Sequence, residues 1–452
     1  MKFKKIVVFL LILTMSLAFT STQHIVNSTH SDEISKEKVY STSYTPHDPI
    51  WIQSNQEFED QATAESWAGD GSEETPYIIT GYSFNQETQP LRIWDTDVHW
   101  RFINNRVDGL GDDIQCGTWI EDASNGAIIN CEFLNRHSGM VIVNAANMTI
   151  SGNYIHDMSL RGIEITGMTT NCEITENTVE NCVHHGILVG GMTSGTLSEN
   201  VVTNCGGRGI FVNSGFHNSE IKQNVITNID GNGIYVGMAT SSEISFNTIS
   251  NADGCGIEII GSNMCTIKNN SIDTVSEEGI SVDYCELSDI SMNEIYNCTG
   301  IGLELLGTSN NTIHKNTISE CDDYAISLNS DTEFFDIKYN VFINNGIDCQ
   351  LYDDGDDNVF CYNYFSDWLT PDTNSDGFVD LAYEVDGTSE NTDDWPITQI
   401  GIFPTVPTLT NTTGTTTPVT DTPLDLTMIL VIVGGIGSII VIITGILVMK
   451  RR

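Results

Sequence analysis

Between residues 102 and 365, short apolar segments alternate with polar positions in one recurring phrase. It reads apolar, two residues, Asn, one residue, apolar, as in ISFNTI at 244–249. The phrase centres on Asn153, Asn177, Asn200, Asn224, Asn247, Asn270, Asn293, Asn316, Asn340 and Asn363, at steps of 23 or 24 residues. FINNRV at 102–107 and IINCEF at 128–133 are degenerate copies. A second phrase, Gly-Ile-x-Ile/Val, keeps the same period at Gly162, Gly186, Gly209, Gly233, Gly256 and Gly279, and returns as GLEL at 302–305 and AISL at 325–328.

A fixed period in the twenties predicts a solenoid. The apolar segments are three to six residues long, β-branched and alternating, and Gly and Asn break them. That is strand periodicity, not the long run of a helical repeat. A leucine-rich repeat shares the period but needs a Leu lattice, and here Ile and Val hold the strand positions. The expected fold is therefore all-β: a single-stranded parallel β-helix of about 23 residues per coil, with equivalent residues stacked about 4.8 Å apart. In GIEI at 256–259, Ile257 and Ile259 point inward and Glu258 outward. The Asn row reads as structural: a turn Asn tolerates left-handed backbone and can hydrogen-bond its copies on neighbouring coils.

Residues 46–100 lack the phrase and read as an N-terminal cap, needed because a first coil exposes core and open strand edges. Trp51, Trp67, Tyr77 and Trp94 are expected to supply its bulk. Residues 101–366 are the repeats and 367–403 a C-terminal cap. Residues 1–20 read as a secretion signal, with Lys2, Lys4 and Lys5 before an apolar run, and residues 21–45 as a flexible leader. Residues 404–425 form a Thr/Pro-rich stalk; 426–449 are uncharged and long enough to span a bilayer as a C-terminal transmembrane helix. Lys450, Arg451 and Arg452 then hold the tail inside, so the expected protein is single-pass in the cell membrane, N-out and C-in. Sequons at Asn27, Asn147, Asn269, Asn297, Asn310 and Asn411 suit an exported glycoprotein.

The cap segments and the two repeat phrases, with NYFSDW at 363–368, PDTNSDG at 371–377, YEVDG at 383–387 and DWP at 394–396, resemble the NosD-like right-handed parallel β-helix family. That wider group includes carbohydrate-binding and sugar-hydrolysis β-helix domains. The resemblance covers about residues 46–400 and implies the fold far more sharply than the function.

Composition narrows the partners. Asp and Glu number 61 against 18 Lys and Arg, a net charge of −43. A phosphate backbone needs a basic face, so nucleic acid is excluded as a partner, and so is docking on anionic lipid. The segment 372–380 reads D-x-N-x-D-G-x-x-D. Asp372, Asn374 and Asp376, a carbonyl at Phe378 and a carboxylate at Asp380 fit a structural Ca²⁺. Tyr383 stands where an EF-hand has its bidentate Glu, so no sensor-type opening follows.

Of the 12 cysteines, Cys182 and Cys205, and Cys298 and Cys321, are 23 apart and should stack, as buried free thiols or within disulfide reach. In the copper-delivery reading, Met168 and Met192 would stack with Met238 two coils on, but Gly215 interrupts the row and no His joins it. The outward row of the Gly-Ile strands is the best place for a ligand: Glu164, Leu188, Phe211, Tyr235, Glu258, Ser281, Glu304, Ser327. Phe211 and Tyr235 suit sugar rings or a covering chain, and Glu258 and Glu304 lie two coils apart, close to the separation of an inverting glycosidase pair. Arg161 and Arg208 precede their strands, and His184 and His185 sit in the same turn row, without a convergent catalytic set. The expected function is binding of a polysaccharide, surface glycan or envelope protein. A polysaccharide lyase or glycoside hydrolase is the alternative, and NosD-like copper delivery a third reading.

Overall fold

The computed structural model describes residues 43–400 except 86–87, 110–114 and 347–348. The signal, most of the leader, the stalk, the membrane span and the tail lie outside the described residues. Within them the chain visits three sheets in turn, coil after coil, a parallel β-solenoid. The first sheet runs from Thr45–Pro46 to Tyr364–Phe365 and has 14 strands. The second runs from Ile50–Ile52 to Leu351–Asp353, also 14, and the third begins at Tyr77–Thr80 and has 15. Every pairing between named strands is parallel except the last, where Tyr383–Glu384 and Thr392–Asp393 form an antiparallel hairpin. Among the described residues no helix is long and apolar enough to cross a membrane.

The alternation does what the sequence predicts. Ile257 and Ile259 are buried, and Glu258 between them faces outward and is half-buried. Registers match equivalent residues coil by coil, as in Ile244 with Ile267 and Ile267 with Ile290. The core is one continuous column of Ile, Val, Leu and Phe.

The Asn ladder is structural, with one correction. Each ladder Asn is buried, and from Asn177 on its Oδ1 accepts both the backbone N–H and the Nδ2 of the Asn one coil back, while Asn153 Oδ1 accepts Cys131 N at 2.9 Å. Asn224 thus donates to Asn247 at 3.1 and 2.9 Å, and Asn247 to Asn270 at 3.0 and 3.0 Å. Nδ2 also reaches a strand carbonyl, Ile221 O at 2.9 Å for Asn247. The left-handed residue is not the ladder Asn but the one before it: Phe246 (φ 57°), Met292 (φ 55°), Lys315 (φ 57°), Tyr339 (φ 59°). The Asn side chain must turn inward to reach its copies, so the sharp step falls on its neighbour. Each such non-Gly residue costs about 1–2 kcal/mol, which the stacked hydrogen bonds offset. Cys131 replaces one Asn and still accepts from Asn105 N at 3.4 Å.

Both ends are closed by segments the repeat does not announce. Strands at 45–46, 50–52 and 77–80 already join the three sheets, and the helix Asn55–Glu65 lies over the open core. Ser54 caps it through Glu57 N at 3.2 Å, and it buries Phe58 and Ala62. Phe58 stacks on Tyr77 at 5.2 Å and meets Trp67 and Trp100. Trp67 and Tyr77 are core, as expected, but Trp51 is 55% exposed and Trp94 lies under Arg92 at 4.5 Å; Phe58 and Trp100 do their part of the filling. Alternation explains Trp51, which sits between buried Ile50 and Ile52 and must point out. At the far end Asp393 ends the Asn ladder, accepting Asn363 N and Nδ2 at 3.0 and 2.9 Å. Tyr383 stacks on Phe365 at 3.7 Å.

All twelve cysteines are free thiols. Cys182 and Cys205, and Cys298 and Cys321, are buried and interact thiol to thiol, as the buried-thiol reading expects. The methionine row fails. The register shifts between Thr166 and Thr169, so Met192 pairs with Thr169 rather than Met168. Met168 is 86% exposed, Met192 1% and Met238 61%, so no two thioethers share a stacked face.

Candidate functional site

The outward row on the second sheet is continuous. Glu164 pairs with Leu188, Leu188 with Phe211, Phe211 with Tyr235, Tyr235 with Glu258, Glu258 with Ser281, Ser281 with Glu304. Leu188 is buried, while Phe211 and Tyr235 are half-buried. The two rings meet edge to face at 5.2 Å. With one strand spacing per step, the Glu258 and Glu304 backbones stand about 9.6 Å apart.

A second row runs beside it, one residue before each Gly-Ile strand: Arg161, His185, Arg208, Asn232, Cys255, Glu278. It is held in step by backbone bonds such as Gly186 N to Arg208 O and Gly256 N to Glu278 O. This row changes the chemistry of the first. The Arg208 guanidinium lies over Phe211 at 4.6 Å and over Tyr235 at 4.2 Å. His185 packs against Phe211 at 4.7 Å, and its Nδ1 accepts Arg208 N at 3.0 Å. Burial, with the charges of Arg161 and Arg208, pushes His185 down to about 4, so it is a neutral imidazole. Asn232 Nδ2 donates to Glu258.

The acidic end lies on the later coils. Burial raises Glu258, against the lowering effect of Arg208 and Asn232. Burial and the charges of Glu278, Asp283 and Asp323 push Glu304 up to about 7. Asp283 is raised by burial as well, and accepts Ser281 Oγ at 3.3 Å. Cys255 Sγ lies 3.3 Å from Glu278 and 3.6 Å from Glu277. Burial and these carboxylates raise its thiol far above the usual range, so it is a protonated donor.

The sequence brought out Phe211, Tyr235, Glu258 and Glu304 as one row, and the structure places them on one row. It adds Arg208, His185 and Asn232 against that row, and Asp283 and Glu278 near Glu304. The available signal was the common offset of one residue before each Gly. What the sequence lacks is the direction in which a long Arg side chain lies.

In the C-terminal cap the Ca-like loop is a set of Asx turns. Asp376 N donates to Asn374 Oδ1 at 2.9 Å, and Phe378 N to Asp376 Oδ1 at 3.0 Å. Asp380 accepts Thr373 N and Oγ1 at 2.7 and 2.6 Å, which lowers its pKa. The Phe378 ring is buried, leaving its carbonyl as the only group it can offer. Asp372 Oδ1 is buried without a hydrogen-bond partner. Oxygen donors of this kind fit a hard cation.

The family described as right handed beta helix region matches residues 91–249 and 236–367, together more than half of the chain. The chain belongs to this family. Its three-sheet coil is therefore the right-handed β-helix that the resemblance implied. No curated protein matches. Among solved structures, the A-module of the mannuronan C-5 epimerase AlgE6 of Azotobacter vinelandii is similar, at 16% identity over 67% of this chain and 92% of that one, with TM-score 0.49. The catalytic unit of a thermostable α-1,3-glucanase from Streptomyces thermodiastaticus is similar at 13% identity over 80% and 71%, with TM-score 0.49. The enzymatically active domain of tailspike protein 2 of bacteriophage CBA120 is similar at 13% identity over 52% and 43%, with TM-score 0.40. What these likenesses share is the β-helix.

Proposed function

We propose that the outward face of the second sheet binds a polysaccharide laid along the coil axis, and that the β-helix is displayed outside the cell on the stalk and membrane span. One observation carries the binding reading: Arg208 lies against Phe211 and Tyr235, and Tyr235, Glu258, Ser281 and Glu304 follow on successive coils of the same face. Aromatic rings, a guanidinium and carboxylates are the groups that grip sugar rings and their hydroxyls. The names of the similar solved structures, an epimerase of mannuronan and an α-1,3-glucanase, agree with a polysaccharide ligand. An envelope protein on the same face is the other occupant.

The second reading is cleavage. It is favoured by Glu304, whose carboxyl is held near pH 7 where a general acid works best, with Glu258 two coils away as its partner. The purified protein would be incubated with a panel of neutral and acidic polysaccharides, following both binding and new chain ends. A binder retains its ligand without new ends, and Glu258→Gln or Glu304→Gln lowers affinity modestly. A hydrolase makes new ends, and either substitution removes nearly all turnover while binding persists. No binding to any polysaccharide would sink both.

Display outside the cell rests on the apolar run at 426–449 and the basic tail. Protease added to intact cells should release the β-helix by cutting in the stalk; a stalk resistant to outside protease but cut after lysis contradicts it. In the cap, Ca²⁺ is proposed at Asp372, Asn374, Asp376, the Phe378 carbonyl and Asp380, pinning the last coil. Supporting this is the unpartnered Asp372 Oδ1. Chelator should lower the melting temperature of the wild type and leave Asp376→Ala unchanged. A flat calorimetric Ca²⁺ titration would reduce the loop to a turn.

A further inference from the structure

We infer that the glycan bound on the second sheet is anionic, and that the Arg208 guanidinium receives its carboxylate or sulfate group. This rests on the polysaccharide reading above and narrows it to one ligand class.

The chain carries 18 Lys and Arg against 61 Asp and Glu, so a basic side chain has acids at hand almost everywhere. Several take them. Arg106 is paired with Asp108 and Glu132 at 3.0 and 3.3 Å, Arg161 with Glu164 at 2.8 Å and Lys268 with Glu243 at 2.9 Å. Arg208 does not. Among the described residues no carboxylate stands in ion-pair contact with it, and its guanidinium makes no hydrogen bond, although the residue is half-buried.

It is nevertheless held in place. Two rings set edge to face form a notch, and the guanidinium lies over both, at 4.6 and 4.2 Å. Contact with both rings holds the group in place while its N–H donors, the fork that matches a carboxylate or sulfate, stay unused. A group so held, with its donors unused, is prepared for an acceptor that comes from outside. Glu258, whose carboxylate feels the Arg208 charge, is instead hydrogen-bonded by Asn232.

The same packing changes what the rings can do. Arg208 covers a face of Phe211 and of Tyr235, and His185 packs against Phe211 from its own coil. Less ring surface is left for a neutral sugar to stack on than the sequence alone suggests. His185 adds a donor: with Nδ1 accepting from Arg208 N, the proton of the neutral ring sits on Nε2. Arg208 and the His185 donor thus stand together on a strongly acidic molecule. The ligand's charged group would seat there and its chain continue toward Glu258 and Glu304.

The test uses the full-length chain in detergent and three probes: polygalacturonate, dextran sulfate and neutral dextran. Affinity is read by calorimetry for wild type, Arg208→Gln, Arg208→Lys and Phe211→Ala, with a thermal melt of each to show that it folds. The wild type should bind one of the two anionic polymers at least about tenfold tighter than dextran, and which of the two it prefers names the group. Arg208→Gln should lose about tenfold or more on that polymer and nothing on dextran, while Arg208→Lys, which keeps the charge without the fork, falls between. Should Arg208→Gln fail to fold, the Lys variant decides: affinity equal to wild type for the anionic polymer overturns the inference. Preference for dextran, with loss on Phe211→Ala, overturns the anionic ligand and leaves the polysaccharide reading standing. No binding to any of the three overturns the inference, and the wider glycan panel then decides whether the polysaccharide reading falls with it.

Discussion

Asn247→Ala is expected to lower the unfolding free energy by about 4 kcal/mol, more than any substitution on the outward face. Asn247 is buried in the middle of the ladder and joins three coils. Its Oδ1 accepts Asn224 N and Nδ2 at 3.1 and 2.9 Å, and its Nδ2 donates to Ile221 O and Asn270 Oδ1 at 2.9 and 3.0 Å. Alanine removes all four bonds. Asn224 Nδ2 keeps Leu197 O at 3.0 Å, but the buried Asn224 N–H is left with no acceptor. A buried donor or acceptor without a partner costs about 1–3 kcal/mol, and no water can reach a site between packed coils. Phe246→Ala is the internal control: its ring is 55% exposed, so its loss should leave stability almost unchanged. Urea unfolding of the three proteins decides the matter. A loss below about 1 kcal/mol for Asn247→Ala would mean that the Ile column alone holds the coils in register.

Glu304→Gln is expected to stabilise the protein at pH 8 by about 1–2 kcal/mol and to leave it unchanged at pH 4. In the fold the Glu304 carboxyl is held up to about 7, by burial first and then by Glu278, Asp283 and Asp323. In the unfolded chain it returns to about 4.3. The folded state therefore holds this proton more tightly than the unfolded one. The stability it contributes is fully present below the unfolded pKa and is lost as pH rises through about 7. The side chain is only half-buried, so solvent screening reduces the effect well below what a fully buried group would show. Glutamine matches the protonated form and does not titrate, so the two stability curves meet in acid, part between the unfolded pKa of about 4.3 and the folded pKa of about 7, and stay apart above it. Asp393, raised to about 6 by burial, has the same sign but is present in both proteins and cancels in the difference. Parallel curves from pH 4 to pH 8 would show that Glu304 is an ordinary solvated carboxylate.

The two expectations separate what a repeat encodes from what it does not. The ladder was legible because every Asn recurs at one period, and a solenoid stacks whatever recurs. Phe211, Tyr235, Glu258 and Glu304 share a row for the same cause, since alternation puts each between two buried residues. The period misleads where the local register slips. Met168 and Met192 are 24 apart, yet the irregularity between Thr166 and Thr169 puts one outside and the other in the core. The size of Trp51 suggests cap filling, but a strand of three residues with buried ends leaves its middle side chain no inward path.

The sequence by itself determined the solenoid, the inward and outward sets, the Asn ladder and the row on which a ligand would lie. These follow from periods of 2 and about 23 residues, and a period survives being written in one dimension. Tertiary structure alone decided that the helix at 55–65 closes the first coil, that Asp393 completes the ladder, and that Arg208 lies across Phe211 and Tyr235. Each depends on a contact made once, by residues far apart in sequence or by a flexible side chain choosing among several neighbours. Such contacts leave no periodic trace, and only the packed coils select them.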